Sequence, residues 1–129
     1  MAKILLVEDE NLIADLYSQQ LIQAGFEVKV IDSGVAALKI LTEENFDLVF
    51  LDILLPGMHG LEVLRQLKIH HSHLIIPIII ISNLAQSEVI TEAFRLGAKG
   101  YLIKANFDPE ELVEEATKIL NERAISMLR

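Results

Sequence analysis

Apolar residues follow two alternating rhythms along the chain. Short, nearly unbroken runs of Val, Ile, Leu and aromatic residues occupy positions 3–7 (KILLV), 27–31 (EVKVI), 47–51 (DLVFL), 76–81 (IPIIII) and 100–103 (GYLI). Runs this short and this apolar read as strands. Between and after them, apolar residues return every three or four positions at about 10–24, 33–44, 58–69, 86–96 and 108–123, the spacing of amphipathic helices. The string is therefore β-α repeated five times. Strands such as 76–81, which lack a polar alternation, belong in a parallel sheet covered on both faces. The expected fold class is α/β, an open doubly wound sheet of five parallel strands. The last helix is the best marked. Asp108 is placed to cap it, Pro109 takes its first position, Glu111 completes a capping box, and Leu112, Val113, Ala116, Ile119 and Leu120 form its buried stripe. Gly25 and Gly97 are placed to end the first and fourth helices in the left-handed conformation.

Length and composition narrow this picture. The 129 residues, 52% of them apolar, suit one core, with a domain expected over 1–123, a short tail over 124–129 and no output domain visible. There is no cysteine, so disulfides and thiolate metal sites are excluded. The start, Met-Ala-Lys-Ile, lacks a secretion signal, and a cytoplasmic location is expected. The most apolar stretch, HLIIPIIIIS, is broken by Pro77 and falls short of the roughly 20 residues that span a bilayer, so no membrane contact is expected. A net charge of −8 with only eleven scattered basic residues speaks against direct nucleic-acid binding.

In a doubly wound sheet, functional groups collect beyond the carboxyl ends of the strands. The residues there are Glu8 and Asp9 after the first strand, Asp32 after the second, Asp52 after the third, Ser82 after the fourth and Lys104 after the fifth. Neighbouring carboxylates repel by about 1 kcal/mol per pair in water and about 4 kcal/mol at an effective dielectric of about 20. Such a cluster needs a proton or a hard cation, and an all-oxygen donor set suits Mg²⁺. Lys104 neutralises part of the charge and offers an ammonium to a phosphoryl group. An Asp beside such groups is a candidate nucleophile for phosphoryl transfer, with an aspartyl phosphate as product.

Taken singly, each residue has a plainer reading. Glu8 and Asp9 suit a helix start, Asp52 a turn before Pro56-Gly57, Ser82 a cap, Lys104 a solvated strand end, and Tyr101 a half-buried core aromatic. Their convergence on one sheet edge is what favours a site. His70, His71 and His73 fall before the fourth strand, at the opposite edge from the acids, and read as a solvated loop rather than a metal site; His59 reads as an exposed helix-start residue.

The stretches VEDE at 7–10, LDILLPGMHG at 51–60, Ser82-Asn83-Leu84 and GAKGYLIK at 97–104 resemble the receiver domains of two-component response regulators, of the stand-alone, chemotaxis-regulator kind, over essentially the whole chain. The resemblance implies a flavodoxin-like strand order 2-1-3-4-5. It also implies Asp52 as phosphoacceptor, with Mg²⁺ held by Asp52, Asp9 and the Leu54 carbonyl and by Glu8 through water. Ser82 and Lys104 would hold the phosphoryl oxygens, helped by backbone N–H groups near Ile53 and Asn83. Tyr101 would move with Ser82 as a switch, reshaping the surface of the fourth helix, fifth strand and fifth helix. The implied partners are a sensor histidine kinase or phosphotransfer protein, and a downstream target or an excised output domain. A homodimer through the same three-element face is a further contact left open. The only catalysis implied is of the domain's own phosphorylation and dephosphorylation.

Two positions depart from the family's usual pattern. Ala105 stands where proline usually follows the lysine, so a trans peptide and a differently shaped loop are expected; Asn83 is larger than the usual small residue, and either crowds the phosphoryl pocket or donates to it. Leu54 and Leu84 flank the expected path of the hydrolytic water and cannot orient it, which predicts slow loss of phosphate. Two other readings compete. One is an unphosphorylated interaction module with the same fold. The other is an Asp-nucleophile phosphatase, which normally wants a second Asp where this chain has Leu54.

Overall fold

The computed structural model describes residues 1–127, and strand and helix alternate through it as the pattern predicts. In order these are β1 (Lys3–Val7), α1 (Asn11–Gln23), β2 (Glu27–Ile31), α2 (Gly34–Glu43), β3 (Leu48–Asp52), α3 (Gly60–His70), β4 (Ile78–Ser82), α4 (Ser87–Arg95), β5 (Gly100–Ile103) and α5 (Pro109–Met127). A single 3₁₀ turn, Lys104–Asn106, joins β5 to α5. The sheet is parallel throughout, in the order β2-β1-β3-β4-β5, which is the flavodoxin-like order.

Alternate residues of the same strands feed two cores. On one face Leu5, Val7, Val49, Leu51, Ile78 and Ile80 meet the residues of α2, α3 and α4. On the other, Ile4, Leu6, Phe50, Ile79 and Ile81 meet Ala14, Tyr17 and Leu21 of α1 and Leu112 and Ala116 of α5. Every residue of β3 and β4 is buried, which is why neither strand shows a polar alternation. β2 lies at the edge and is only partly covered, and its sequence EVKVI accordingly alternates.

Several boundaries differ from the pattern. β3 starts and ends one residue late, so Asp52 is its last residue rather than the first of a loop. β4 starts at Ile78 because Pro77 has no N–H for the ladder, although its carbonyl still accepts from Val49 N at 3.0 Å. His70 closes α3 instead of lying in the following loop. α5 runs past residue 123 to Met127, taking in residues 124–127 of the expected tail; 128–129 lie outside the described residues. The helix ends behave as expected. Gly25 and Gly97 have φ of 98° and 106°, and the Asp108 amide donates to Glu111 Oε1 at 3.2 Å, the returning half of a capping box.

The register sets the functional edge. Val7 is level with Leu51, Asp52 with Ile81, and Ser82 with Ile103. The residues that end or follow β1, β3, β4 and β5 therefore emerge together.

Candidate functional site

Three polar side chains are buried at that edge. Glu8, just past β1, is 1% exposed; Asp52, ending β3, is 3% exposed; Ser82, ending β4, is fully buried. A buried carboxylate needs a partner, and both acids share the same one. Lys104, whose side chain is 6% exposed, places Nζ 2.7 Å from Asp52 Oδ2 and 2.5 Å from Glu8 Oε1. The Asp52 contact has hydrogen-bond alignment. The Glu8 contact is a close ion pair, and Glu8 Oε1 has no further partner. The other oxygens are better served. Asp52 Oδ1 accepts from Leu54 N at 3.3 Å, and Glu8 Oε2 accepts from Glu10 N at 3.2 Å.

Asp9 completes the cluster from its exposed side. One carboxylate oxygen from each of Glu8, Asp9 and Asp52 lies within 4.8 Å of the others, the one such grouping of acids or histidines among the described residues. Burial pushes the Glu8 carboxyl up, the bond from Lys104 draws it back, and the Asp52 charge raises it again. Burial works against the Lys104 ammonium, but its bonds to Asp52 and then Glu8 outweigh burial and hold its pKa above the ordinary lysine value. One ammonium facing three carboxylates leaves surplus negative charge. An all-oxygen donor set, the surplus negative charge and an open Asp9 side fit a hard divalent cation with part of its water shell.

Close backbone packing holds the loop after β3 beside this cluster. Ile53 O accepts from Leu55 N at 3.0 Å and from Gly60 N at 2.8 Å, and Gly57 turns the chain at φ 71°. A Cβ on Gly60 would lie 2.2 Å from Asp52 O, and one on Gly34 would lie 1.8 Å from Met58 O. Both glycines therefore let helix starts press onto the chain that carries Asp52. Gly60 lies inside the stretch LDILLPGMHG, yet no local pattern marks its contact with a residue eight positions earlier.

The β4–α4 loop is tied back in three ways. Leu84 N donates to Ser82 Oγ at 3.2 Å, Tyr101 OH donates to Leu84 O at 2.6 Å, and Ala105 N donates to Asn83 Oδ1 at 3.1 Å. Tyr101 is half-buried against the α2–α4 core, as is Leu84, whereas Leu54 is 58% exposed. The Lys104–Ala105 peptide is trans, as expected, and starts the 3₁₀ turn. Asp32 is exposed and is not in the acid cluster. His71 and His73 meet edge to face at 6.2 Å, outside any grouping of ligand type.

Tyr17 is a residue the sequence pattern does not single out. It is buried, stacks on Phe107 at 5.8 Å, and lies near enough to feel Lys104, Glu8 and Asp52, while burial raises its pKa. Its helical spacing marks it only as core.

Residues 4–117 match the family model described as the response regulator receiver domain. The chain belongs to that family. Its relatives differ in length, and the chain spans less than half of several of them. It is 34% identical over 118 residues to sporulation initiation phosphotransferase F of Bacillus subtilis, covering 92% of this chain and 93% of that protein. It is 40% identical over 106 residues to the transcriptional regulatory protein MalR of Bacillus subtilis, covering 81% of this chain but 44% of that protein. Against response regulator protein FleR of Pseudomonas aeruginosa the receiver spans 21% of the relative's length at 37% identity over 80% of this chain. Among solved structures, the CheY-like receiver domain protein of Methanospirillum hungatei superposes with a TM-score of 0.88 at 28% identity, covering 98% of both chains. Chemotaxis protein CheY4 of Vibrio cholerae does so with a TM-score of 0.83 at 30% identity, covering 92% of this chain and 98% of that one.

Proposed function

We propose that this receiver domain is a phosphorylation-operated signalling module in which Asp52 accepts a phosphoryl group from a phosphohistidine on a sensor histidine kinase or phosphotransfer protein. The observation that carries the reading is the buried Asp52 carboxylate, bonded to Lys104 and grouped with Glu8 and Asp9 at the end of β3. The likeness to a phosphotransferase over nearly that relative's whole length supports it.

An Asp52 oxygen attacks phosphorus, the phosphohistidine P–N bond breaks with its electron pair leaving on the imidazole nitrogen, and an acyl phosphate forms on Asp52. Lys104, bonded to Asp52 Oδ2, would pair with the incoming phosphoryl oxygens. The Ser82 oxygen accepts from Leu84 N, which leaves its O–H to donate to the phosphoryl group. Mg²⁺ would be held by Asp9, Asp52 and the Leu54 carbonyl, and by Glu8 through water, and would neutralise charge on the phosphoryl oxygens. The bond from Tyr101 to Leu84 O joins β5 to the loop that follows Ser82. Movement of that loop on phosphorylation would alter the α4–β5–α5 face, which we assign to the downstream target or output domain.

The test is incubation with Mg²⁺ and a small phosphodonor, then with candidate kinases, followed by mass spectrometry. One phosphoryl group on Asp52, absent from Asp52→Asn, is the expected result. An unlabelled wild-type chain would leave an interaction module without phosphorylation.

A further inference from the structure

The two departures from the family's usual pattern face each other. Ala105 follows Lys104 where proline is usual, and Asn83 follows Ser82 where a small residue is usual. Proline has no N–H to give. Ala105 has one, and it donates to Asn83 Oδ1 at 3.1 Å. The bond joins the β4–α4 loop to the Lys104–Asn106 turn across 22 residues of sequence. Each partner sits directly beside a residue assigned to the phosphoryl pocket, Asn83 after Ser82 and Ala105 after Lys104.

The turn needs such a tether. Without proline the φ of residue 105 is not set by a ring, and a three-residue 3₁₀ turn has little hydrogen bonding of its own. The Lys104 ammonium must nevertheless stay between Glu8 and Asp52 at 2.5 and 2.7 Å. A shift of about 1 Å in a reacting group can lower a rate by up to about a hundredfold. The loop on the other side is already fastened once, by Tyr101 OH on Leu84 O at 2.6 Å, so it is a firm anchor. Both Asn83 and Ala105 are exposed, so losing their bond frees the turn without opening the core.

We propose that Asn83 is a positioning residue for phosphoryl transfer, latching the loop after Ser82 to the turn that carries Lys104 through the Ala105 amide. It acts on Lys104 rather than on the phosphoryl group itself, and its role rests on the receiver reading above. The latch restrains the turn as the ring of a proline would.

Asn83→Leu keeps a side chain of similar size and removes the acceptor, whereas Asn83→Ala removes both. Two measurements separate the effects: hydrogen exchange of the Ala105 amide by NMR, and the rate of Asp52 phosphorylation by phosphoramidate at saturating Mg²⁺. In that reaction the P–N bond breaks and ammonia leaves as the Asp52 O–P bond forms. The latch predicts faster Ala105 exchange in both variants. It also predicts a maximal rate lowered by about three- to tenfold in both, with the half-saturating donor concentration unchanged. Ala105 exchange that is the same in all three proteins overturns the proposal. So does Asn83→Leu reacting at the wild-type rate while Asn83→Ala reacts faster, since that pattern means crowding. A wild-type protein that takes up no phosphoryl group overturns the receiver reading, and the latch's role with it. A wild type that labels while Asn83→Leu labels equally fast overturns the latch alone.

Discussion

Gly60 governs the position of Asp52 without touching its carboxylate. A methyl at that position would meet Asp52 O at 2.2 Å and Ile53 Cα at 2.9 Å, both in backbone that cannot rotate aside. Gly60→Ala should therefore destabilise the fold by about 1–3 kcal/mol in urea unfolding and weaken Mg²⁺ binding at the displaced cluster. Gly57→Ala is the control. It meets open space but has φ 71°, so it should lose about 1 kcal/mol and leave Mg²⁺ affinity near wild type. Leu54 governs a different property. It is 58% exposed beside Asp52, the proposed phosphoacceptor, and Leu54→Asn should leave stability intact while shortening the lifetime of an aspartyl phosphate there by roughly tenfold, through an amide able to orient water. Loss of label after donor removal measures this, and an unchanged lifetime refutes the shielding role. At this scale the acids, Ser82 and Lys104 were legible because each ends or follows a strand. Glu8 was legible as a member of the site, but its depth was not: only the packing shows it buried and ion-paired with Lys104.

Among the elements, α5 and the β1–β2 edge make separate claims. Leu112 is fully buried in the face shared by α1, α5 and the sheet, so Leu112→Ala should cost about 2–5 kcal/mol. At the other end of the sheet Glu44, following α2, bonds Lys3 at 2.8 Å and Lys29 at 3.0 Å, with Glu27 a further 3.9 Å contact of Lys3. The Lys3 bond, then the Lys29 bond, hold the Glu44 carboxyl below its ordinary value of 4.5. A depressed carboxyl contributes stability above its ordinary pKa and loses it as pH falls through the folded value. Glu44→Gln should thus have a lower thermal midpoint than wild type at neutral pH, with the gap closing as pH falls through the depressed carboxyl's folded value. A gap that persists in acid would mean that packing, not charge, is involved. Element type was legible throughout because a period of two or of three to four residues is a local property. Boundaries were less so: β4 is shortened by Pro77, and α5 extends to Met127 with no breaker in residues 124–127 to stop it.

For the whole molecule, a cation held by the acid cluster would couple metal binding to folding. A cation that binds the folded chain alone raises stability by about 2.7 kcal/mol at a hundred times its dissociation constant. Added Mg²⁺ should raise the unfolding midpoint of wild type and leave that of Asp9→Ala nearly unmoved; equal shifts in both would remove Asp9 from the site.

What the sequence by itself determined is the kind of molecule and the sheet edge where its candidate site lies. The repeat of strand and helix is written in hydrophobic period, and a parallel sheet sends every strand's carboxyl end the same way. Tertiary structure alone decided which residues meet across that edge: Lys104 between Glu8 and Asp52, Gly60 against the Asp52 carbonyl, and the Ala105 amide on Asn83. Those contacts depend on strand register, on the direction of a side chain and on the approach of one backbone to another. None of the three is a property of neighbouring residues in the chain.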